Sequence, residues 1–338
     1  MAGELGGVRR NLSTFMELAR SAGAEVLELD HWSPERLEAT DLVHLSPADL
    51  DSLAMAREVR RRGIPYVVSP IIDKTAPNWV LRSVTLVDVL LGPLVHTHLG
   101  AAREICRHAA GIATMSNHEI ERVRAGLRVA HVAIRRIRPP LASDAVLADR
   151  AAFVERHGAS DFVLFAGDLA NPRKNVLRLI AACAVLEYPL YLTGTLDVST
   201  EVGGRVAAAC GSGTVVRHLG VLDRPMLLSA MAACRAFALP SLVEGIGLAA
   251  VDAAAAGASV VVTPHGGPHD YLDDYAHYVE PNSIQSIAVG LRKAWNSRPS
   301  ESARVGLRER LSPERARRDL EQLYGDALRR HAEAVRVR

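Results

Sequence analysis

Two carboxylates stand eight residues apart in an otherwise apolar run, LPSLVEGIGLAAVDAAAAGASVVVTPHGG over 239–267, at Glu244 and Asp252. A carboxylate in such a run needs hydrogen-bond donors, and paired sugar hydroxyls are donors of that kind. Gly245 and Gly247 let backbone N–H groups approach a ligand closely. Asp252 is expected more than one turn into the following helix, facing out of an alanine surface, with plain solvent exposure as the alternative reading. A second stretch, GDLANPRKN at 167–175, sets Arg173 and Lys174 beside a helix start, where exposed N–H groups and a lysine suit a phosphate. The alternative there is a solvated basic turn. PHGGPHD at 264–270 offers two glycines and two histidines at a strand end, and Gly6-Gly7 precede a helix whose early residues include Arg9 and Arg10. These two stretches fit ligand-facing turns and ordinary connections equally well.

The surrounding pattern is an alternation of strands and helices. In the first half, helix 7–22 leads to strands 25–29 and 41–45, helix 48–62 stopped by Gly63, and strand 65–69. Helical segments follow around 79–109, then strand 111–115, a helix opened by Ser116 or Asn117, and strand 132–137. Pro139-Pro140 breaks the pattern, and 141–160 reads as a linker with a short helix. The second half begins with strand 162–166, helix 175–188, strand 190–193, helix 198–210, strand 214–217 and helix 223–234. Strand 235–240, helix 248–256 ended by Gly257, strands 259–263 and 278–280, helix 283–296 and a long charged helix from Ser312 complete it. Such βα units specify two doubly wound parallel sheets, whose ligands bind outside the carboxyl ends of the strands. The expected domains are 1–142 and 143–310, with a final helix, 311–338, returning to the first.

The length of 338 residues fits two domains, and a formal net charge of +2 gives no reason to expect nucleic acid as a partner. Arginines cluster at Arg57, Arg60, Arg61 and Arg62, and again at Arg315, Arg317 and Arg318. They read as solvated helix ends favoured by the helix dipole, with a peripheral membrane contact as the alternative. Cys106, Cys183, Cys210 and Cys234 lack CxxC or Cys–His spacing and read as small buried hydrophobes in a reducing compartment. The sequence has no 18-residue apolar run and no signal-peptide core, so a cytoplasmic location is expected. Asp49-x-Asp51 lies in a helical pattern and reads as a surface coincidence, so no metal site is expected. Trp32 and Trp79 are expected to pack.

Taken in order and spacing, GGV near the start, GDLANPRKN, PSLVEGIGLAAVDA and GGPHDYL resemble a family 4 glycosyltransferase of GT-B fold. AAGIATMSNHE at 109–119 resembles the strand-to-helix junction of that family's N-terminal domain, and IRPPLASDAV at 137–146 its interdomain segment. The resemblance covers about 7–335 and is strongest over 162–290. It implies an α/β protein of two Rossmann-like doubly wound parallel-sheet domains facing across a cleft. It also implies transfer of a sugar, with retention, from a nucleotide-diphosphate sugar to a hydroxyl of a small-molecule, glycan or lipid acceptor. No metal and no cofactor beyond the donor is implied.

Carried over by position, Lys174, with Arg173 beside it, binds the donor diphosphate and Glu244 contacts the donor sugar's hydroxyls. The backbone of Gly245, Ile246, Gly247 and Leu248 approaches sugar and phosphate, Asp252 holds the ribose hydroxyls, and Gly7 lies near the diphosphate across the cleft. Glu244 and Lys174 are the expected catalytic pair. This sequence differs from the family pattern at four points. Asp168 stands where an arginine is frequent, and the second acid is the shorter Asp. Ser69-Pro70 replace a histidine, for which His96 and His98 are the nearest candidates. Only six residues precede Gly7, so either the first sheet lacks its usual first strand or the chain as given starts late. Alternative readings are a non-catalytic GT-B partner protein, or a GT-B epimerase or phosphorylase. GIGLAA at 245–250 also satisfies a dinucleotide-binding spacing. However, four residues separate it from its strand, and strand 259–263 ends in Pro-His with no acid for a ribose.

Overall fold

The computed structural model describes residues 6–28, 35–72, 76–91, 97–211 and 216–336. The chain divides into two compact units, one of Met1–Pro139 with Pro313–Arg338 and the other of Pro140–Ser312. Among the described residues, no helix is long and apolar enough to cross a membrane.

Among the described residues the first unit holds four parallel strands, β1 (Val43–Leu45), β2 (Tyr66–Val68), β3 (Gly111–Thr114) and β4 (Ile134–Arg136), in that spatial order. The order never reverses, so right-handed crossovers send the connecting helices to one face. The helix Leu50–Arg61 starts on a reciprocal cap, in which Asp49 accepts from the Ser52 N–H and Ser52 Oγ accepts from the Asp49 N–H, both at 3.0 Å. It buries Leu53, Ala56 and Val59 in one core with Val43 and Leu45. The Asp49-x-Asp51 pair is therefore a helix start. The helices Gly6–Ser21 and Pro313–Arg336 pack on one another and meet the sheet through His44, whose ring contacts Phe15 and Tyr324. The last helix is long and amphipathic, and it buries Leu320, Leu323 and Ala327.

The second unit holds six parallel strands, β5 (Val163–Ala166), β6 (Leu190–Thr193), β7 (Val216–His218), β8 (Ala236–Leu239), β9 (Ser259–Val262) and β10 (Ala276–Tyr278). Their order is β10-β9-β8-β5-β6-β7, so the winding reverses between β5 and β8. β5, β8 and β9 are buried at every position, which is why they read as unbroken apolar runs rather than alternating ones. Phe162, Phe165 and Phe237 fill the core between sheet and helices.

Several expected elements differ. Residues 25–28 form no strand, and Leu29 lies outside the described residues; apolar patterning makes a strand only where a ladder partner exists. The expected strand 278–280 is displaced to β10, in register with Val260 to Val262. Glu280 is instead drawn into the next helix start, its N–H donating to Ser286 Oγ at 2.9 Å. Trp79, expected to pack, is 70% exposed, because its neighbour Leu81 takes the buried face of the helix Asn78–Leu91. Trp32 and His96 lie outside the described residues, and His98 opens the helix His98–His108. All four cysteines are free, with Cys106, Cys183 and Cys234 buried and Cys210 half-buried.

Candidate functional site

The reversal between β5 and β8 sets the loops after these two strands side by side, and this is where a doubly wound sheet leaves a crevice. The first loop tightens into a short 3₁₀ turn, Pro172–Lys174, capped by Asn171, whose side chain accepts the Arg173 N–H at 3.0 Å. Asn175 then takes a left-handed conformation, φ 60°, and its buried amide donates to the carbonyls of Pro240 and Pro281 at 2.8 and 2.7 Å. One side chain thus ties the loop after β5 to those after β8 and β10. The Leu242 N–H donates to the Arg173 carbonyl at 2.8 Å, which closes the same seam.

Glu244 sits at the centre of this seam. Its N–H donates to the His265 carbonyl, its carbonyl accepts from the Gly267 N–H, and it forms a parallel bridge with Gly266. Gly266, at φ 108°, is required here: a Cβ on it would stand 1.8 Å from the Glu244 carbonyl oxygen. Glu244 Oε1 accepts from Lys174 Nζ at 2.7 Å and from Ser241 Oγ at 2.6 Å, with Arg173 Nη1 at 3.6 Å. Arg173 is held in place by donating Nη1 to the Val243 carbonyl at 2.8 Å. Among the described residues Glu244 Oε2 has no hydrogen-bond donor, so one carboxylate oxygen keeps its lone pairs for a ligand. Likewise Lys174 spends one of its three protons on Glu244.

Gly247, at φ 68°, turns the chain into the helix Leu248–Ala255 and gives it no side-chain cap. The first N–H groups of that helix are therefore left for a ligand, next to the acid and the two cations. Gly245 and Ile246 form the bend between, and Leu248 opens the helix.

Asp252, expected to face outward, is only 1% exposed, which corrects that reading. Its position on the helix points it at the helix Arg224–Ala233, and Oδ2 accepts from Arg224 Nη1 at 3.2 Å. Arg224 in turn holds Asp144 through Nε and Nη2 at 2.5 and 2.7 Å. Donation to Asp144, with the Asp252 charge behind it, raises the guanidinium above its ordinary value against the opposing effect of burial.

Asp168 is exposed and accepts the Ala170 N–H at 3.0 Å, so it shapes its own turn. His265 stands 3.9 Å from Glu280, and the His269 ring packs on Tyr278. Gly7, expected just before a helix, stands within the first turn of Gly6–Ser21 in the first unit. The cluster around Glu244 is built from the second unit alone. Sequence reasoning missed Ser241 and Asn175 in this cluster and Arg224 beside Asp252. Ser241 and Asn175 lie inside stretches already singled out, but Arg224 is 28 residues from Asp252 and gives no local signal.

Residues 150–314 match the family model of glycosyl transferases group 1. Over 134 residues the chain is 28% identical to the O-antigen chain mannosyltransferase B of Escherichia coli. That match covers 38% of this chain and 35% of the relative, so it spans about a third of the relative's length. Among solved structures, a sucrose-phosphate synthase from Thermosynechococcus elongatus superposes with a TM-score of 0.64 at 16% identity, covering 96% of this chain and 79% of that one. A UDP-forming α,α-trehalose-phosphate synthase from Burkholderia xenovorans, in complex with glucose-6-phosphate, gives 0.66 at 13% identity, covering 94% and 85%. A glycosyltransferase from Rickettsia africae gives 0.57 at 15%, covering 98% and 95%. The two parallel-sheet α/β units are those of the GT-B fold.

Proposed function

We propose that this chain is a glycosyltransferase, moving a sugar from a nucleotide-diphosphate sugar to an acceptor hydroxyl with retention and without a metal. The observation that carries the reading is the Lys174–Glu244 pair, fixed at the reversal point of the second sheet beside an uncapped helix start. The match of 150–314 to a glycosyltransferase family supports it.

A nucleoside diphosphate is already a good leaving group, so the residues need only orient the donor and neutralise the charge that develops on departure. Lys174, Arg173 and the N–H groups at Leu248 supply positive charge for the diphosphate without a cation. Glu244 Oε2 accepts hydroxyls of the donor sugar, while Oε1 stays locked by Lys174 and Ser241. The carboxylate is thereby held in one orientation and cannot swing onto the phosphates. Asp252 accepts ribose hydroxyls from its place beside Arg224.

The test is the melting temperature of the full chain with UDP, GDP, ADP and dTDP in turn. At a hundredfold excess over Kd, a binding nucleotide stabilises the protein by about 2.7 kcal/mol. We expect one nucleotide to raise the melting temperature and Lys174→Ala to remove that rise. Absence of a rise with all four would overturn the donor site and favour the non-catalytic reading.

A further inference from the structure

At the opposite, amino ends of β2 and β3, the first unit opens a cavity of about 470 Å³. Among the described residues its lining includes Arg60, Arg107, His108, His131, Arg330 and His331, and no acidic side chain. Tyr66 and Val132, both buried, form part of an apolar floor, and the Tyr66 hydroxyl is spent on the Ile105 carbonyl at 2.7 Å.

The neighbouring arginines show what ordinary surface pairing looks like in this unit. Arg57 holds Glu104, and Arg61 and Arg62 share Glu58, all at 2.7 Å. Among the described residues Arg60, Arg107 and Arg330 have no carboxylate within salt-bridge distance. The dipoles of the helices Leu50–Arg61 and His98–His108, which end here, account for Arg60 and Arg107. They do not account for His131, which precedes β4, nor for Arg330 and His331, which come in from the last helix. Arg60, Arg107 and Arg330 thus come from three separate helices to one hollow without a salt-bridge partner among the described residues. Burial first, then Arg60 and Arg107, hold the His108 ring below its ordinary value, with Glu104 acting in the opposite direction. Burial, then Arg107 and Arg128, do the same to Arg103.

We propose that this cavity is a second anion site, which takes a phosphoryl-bearing ligand of two or more negative charges with its carbon body on the Tyr66 floor. Arginine forks match phosphoryl oxygens, and a hollow with cations around it and apolar walls concentrates field on a polyanion. The phosphoryl group can belong to a soluble metabolite or to a lipid headgroup, and the experiment separates the two.

Inorganic tripolyphosphate is titrated calorimetrically into the full chain carrying Lys174→Ala, which removes the proposed donor contact. We expect binding to persist there, and Arg107→Glu with Arg330→Glu to weaken it about tenfold or more, the loss of one charge-assisted contact. Arg107→Gln with Arg330→Gln should act in the same direction, by less. The control is Arg156→Glu with Arg205→Glu, exposed positions of the second unit that carry the same change in net charge. Sedimentation with vesicles of phosphatidylcholine containing cardiolipin, whose headgroup carries two phosphoryl charges, but not with phosphatidylcholine alone, lost in Arg107→Glu/Arg330→Glu, assigns the phosphoryl group to a lipid. Tripolyphosphate binding without vesicle binding assigns it to a soluble ligand. The proposal is overturned if neither probe binds the Lys174→Ala chain, or if the control pair weakens binding as much as the cavity pair.

Discussion

The two parallel sheets of this chain treat the carboxyl ends of their strands in opposite ways. In the first unit the charged and ring side chains there close on one another, while the hydroxyls of Ser46 and Thr114 are buried without a partner among the described residues. His44 in β1 is clamped between Ser69 Oγ at 2.8 Å and Tyr324 Oη at 2.7 Å. Glu119 accepts the Met115 N–H at 2.9 Å, and Arg122 donates to the Ala76 carbonyl and to Asn78 Oδ1. In the second unit the equivalent loops leave capacity unused: an open oxygen on Glu244, spare protons on Lys174 and an uncapped helix start. A buried charge is stable when it is fully paired internally, so a carboxylate and an ammonium fixed in place with capacity to spare mark a place built for something else. Ser69, just after β2, is thus spent as a hydrogen-bond partner of His44.

The comparison breaks most sharply at Glu244. Glu244→Gln keeps the shape and the Ser241 contact but loses the charge, and under the proposed function we expect transfer to fall by about 10²–10³, with the fold intact by circular dichroism. Initial rates measure it; a rate within about threefold of wild type would place the chemistry elsewhere.

The first unit should instead respond to acid. Burial holds the His44 ring down at about 4, against an ordinary 6.5, so the folded chain favours the neutral ring. Between those values the unfolded chain binds more protons, so this contribution is fully present above pH 6.5 and is lost as pH falls towards 4. Its full size is about 3 kcal/mol. Hydrogen exchange of β1 and β2 across that window should show protection falling with acidity, and His44→Gln should flatten the dependence. An unchanged slope in that variant would assign the acid sensitivity to other groups.

A smaller effect separates the two acids within the second unit. Arg224→Ala leaves Asp252, 1% exposed, without its guanidinium, at a cost of about 2 kcal/mol in stability. The melting temperature reads this directly. Under the proposed function the same variant also weakens nucleotide binding while sparing the Lys174–Glu244 pair. The smallest effect is expected from Ser69→Ala, which removes one of two hydrogen bonds to His44, costs about 1 kcal/mol and leaves nucleotide binding alone.

Much of this was legible in the sequence. Apolar runs bounded by glycine and proline gave β5, β8 and β9 close to their true limits, because strands buried on both faces must be apolar throughout. Glu244, Lys174 and the glycines stood out because charge and glycine are costly inside such runs. Trp79 apart, whose place on the helix Asn78–Leu91 decided its exposure, the failures share one cause: each depended on a partner far along the chain. Residues 25–28 carry a strand-like pattern but form no strand, and β10 starts two residues before its expected place because β9 sets the register. Asp252 reads as an outward acid until the helix carrying Arg224 packs against its own.

The sequence by itself determined the alternation of strands and helices, the parallel sheets that follow from it, and the residue types available after each strand. Those are properties of short windows, where the periods of helix and strand and the backbone limits of glycine and proline act locally. The tertiary structure decided that Lys174 and Glu244, 70 residues apart, meet at 2.7 Å, because the winding reverses between β5 and β8 and places their loops together. It also decided that Arg224 claims Asp252 and that Arg60, Arg107 and Arg330 share a cavity. Charge pairing acts through space, and only the order of strands fixes which distant residues share it.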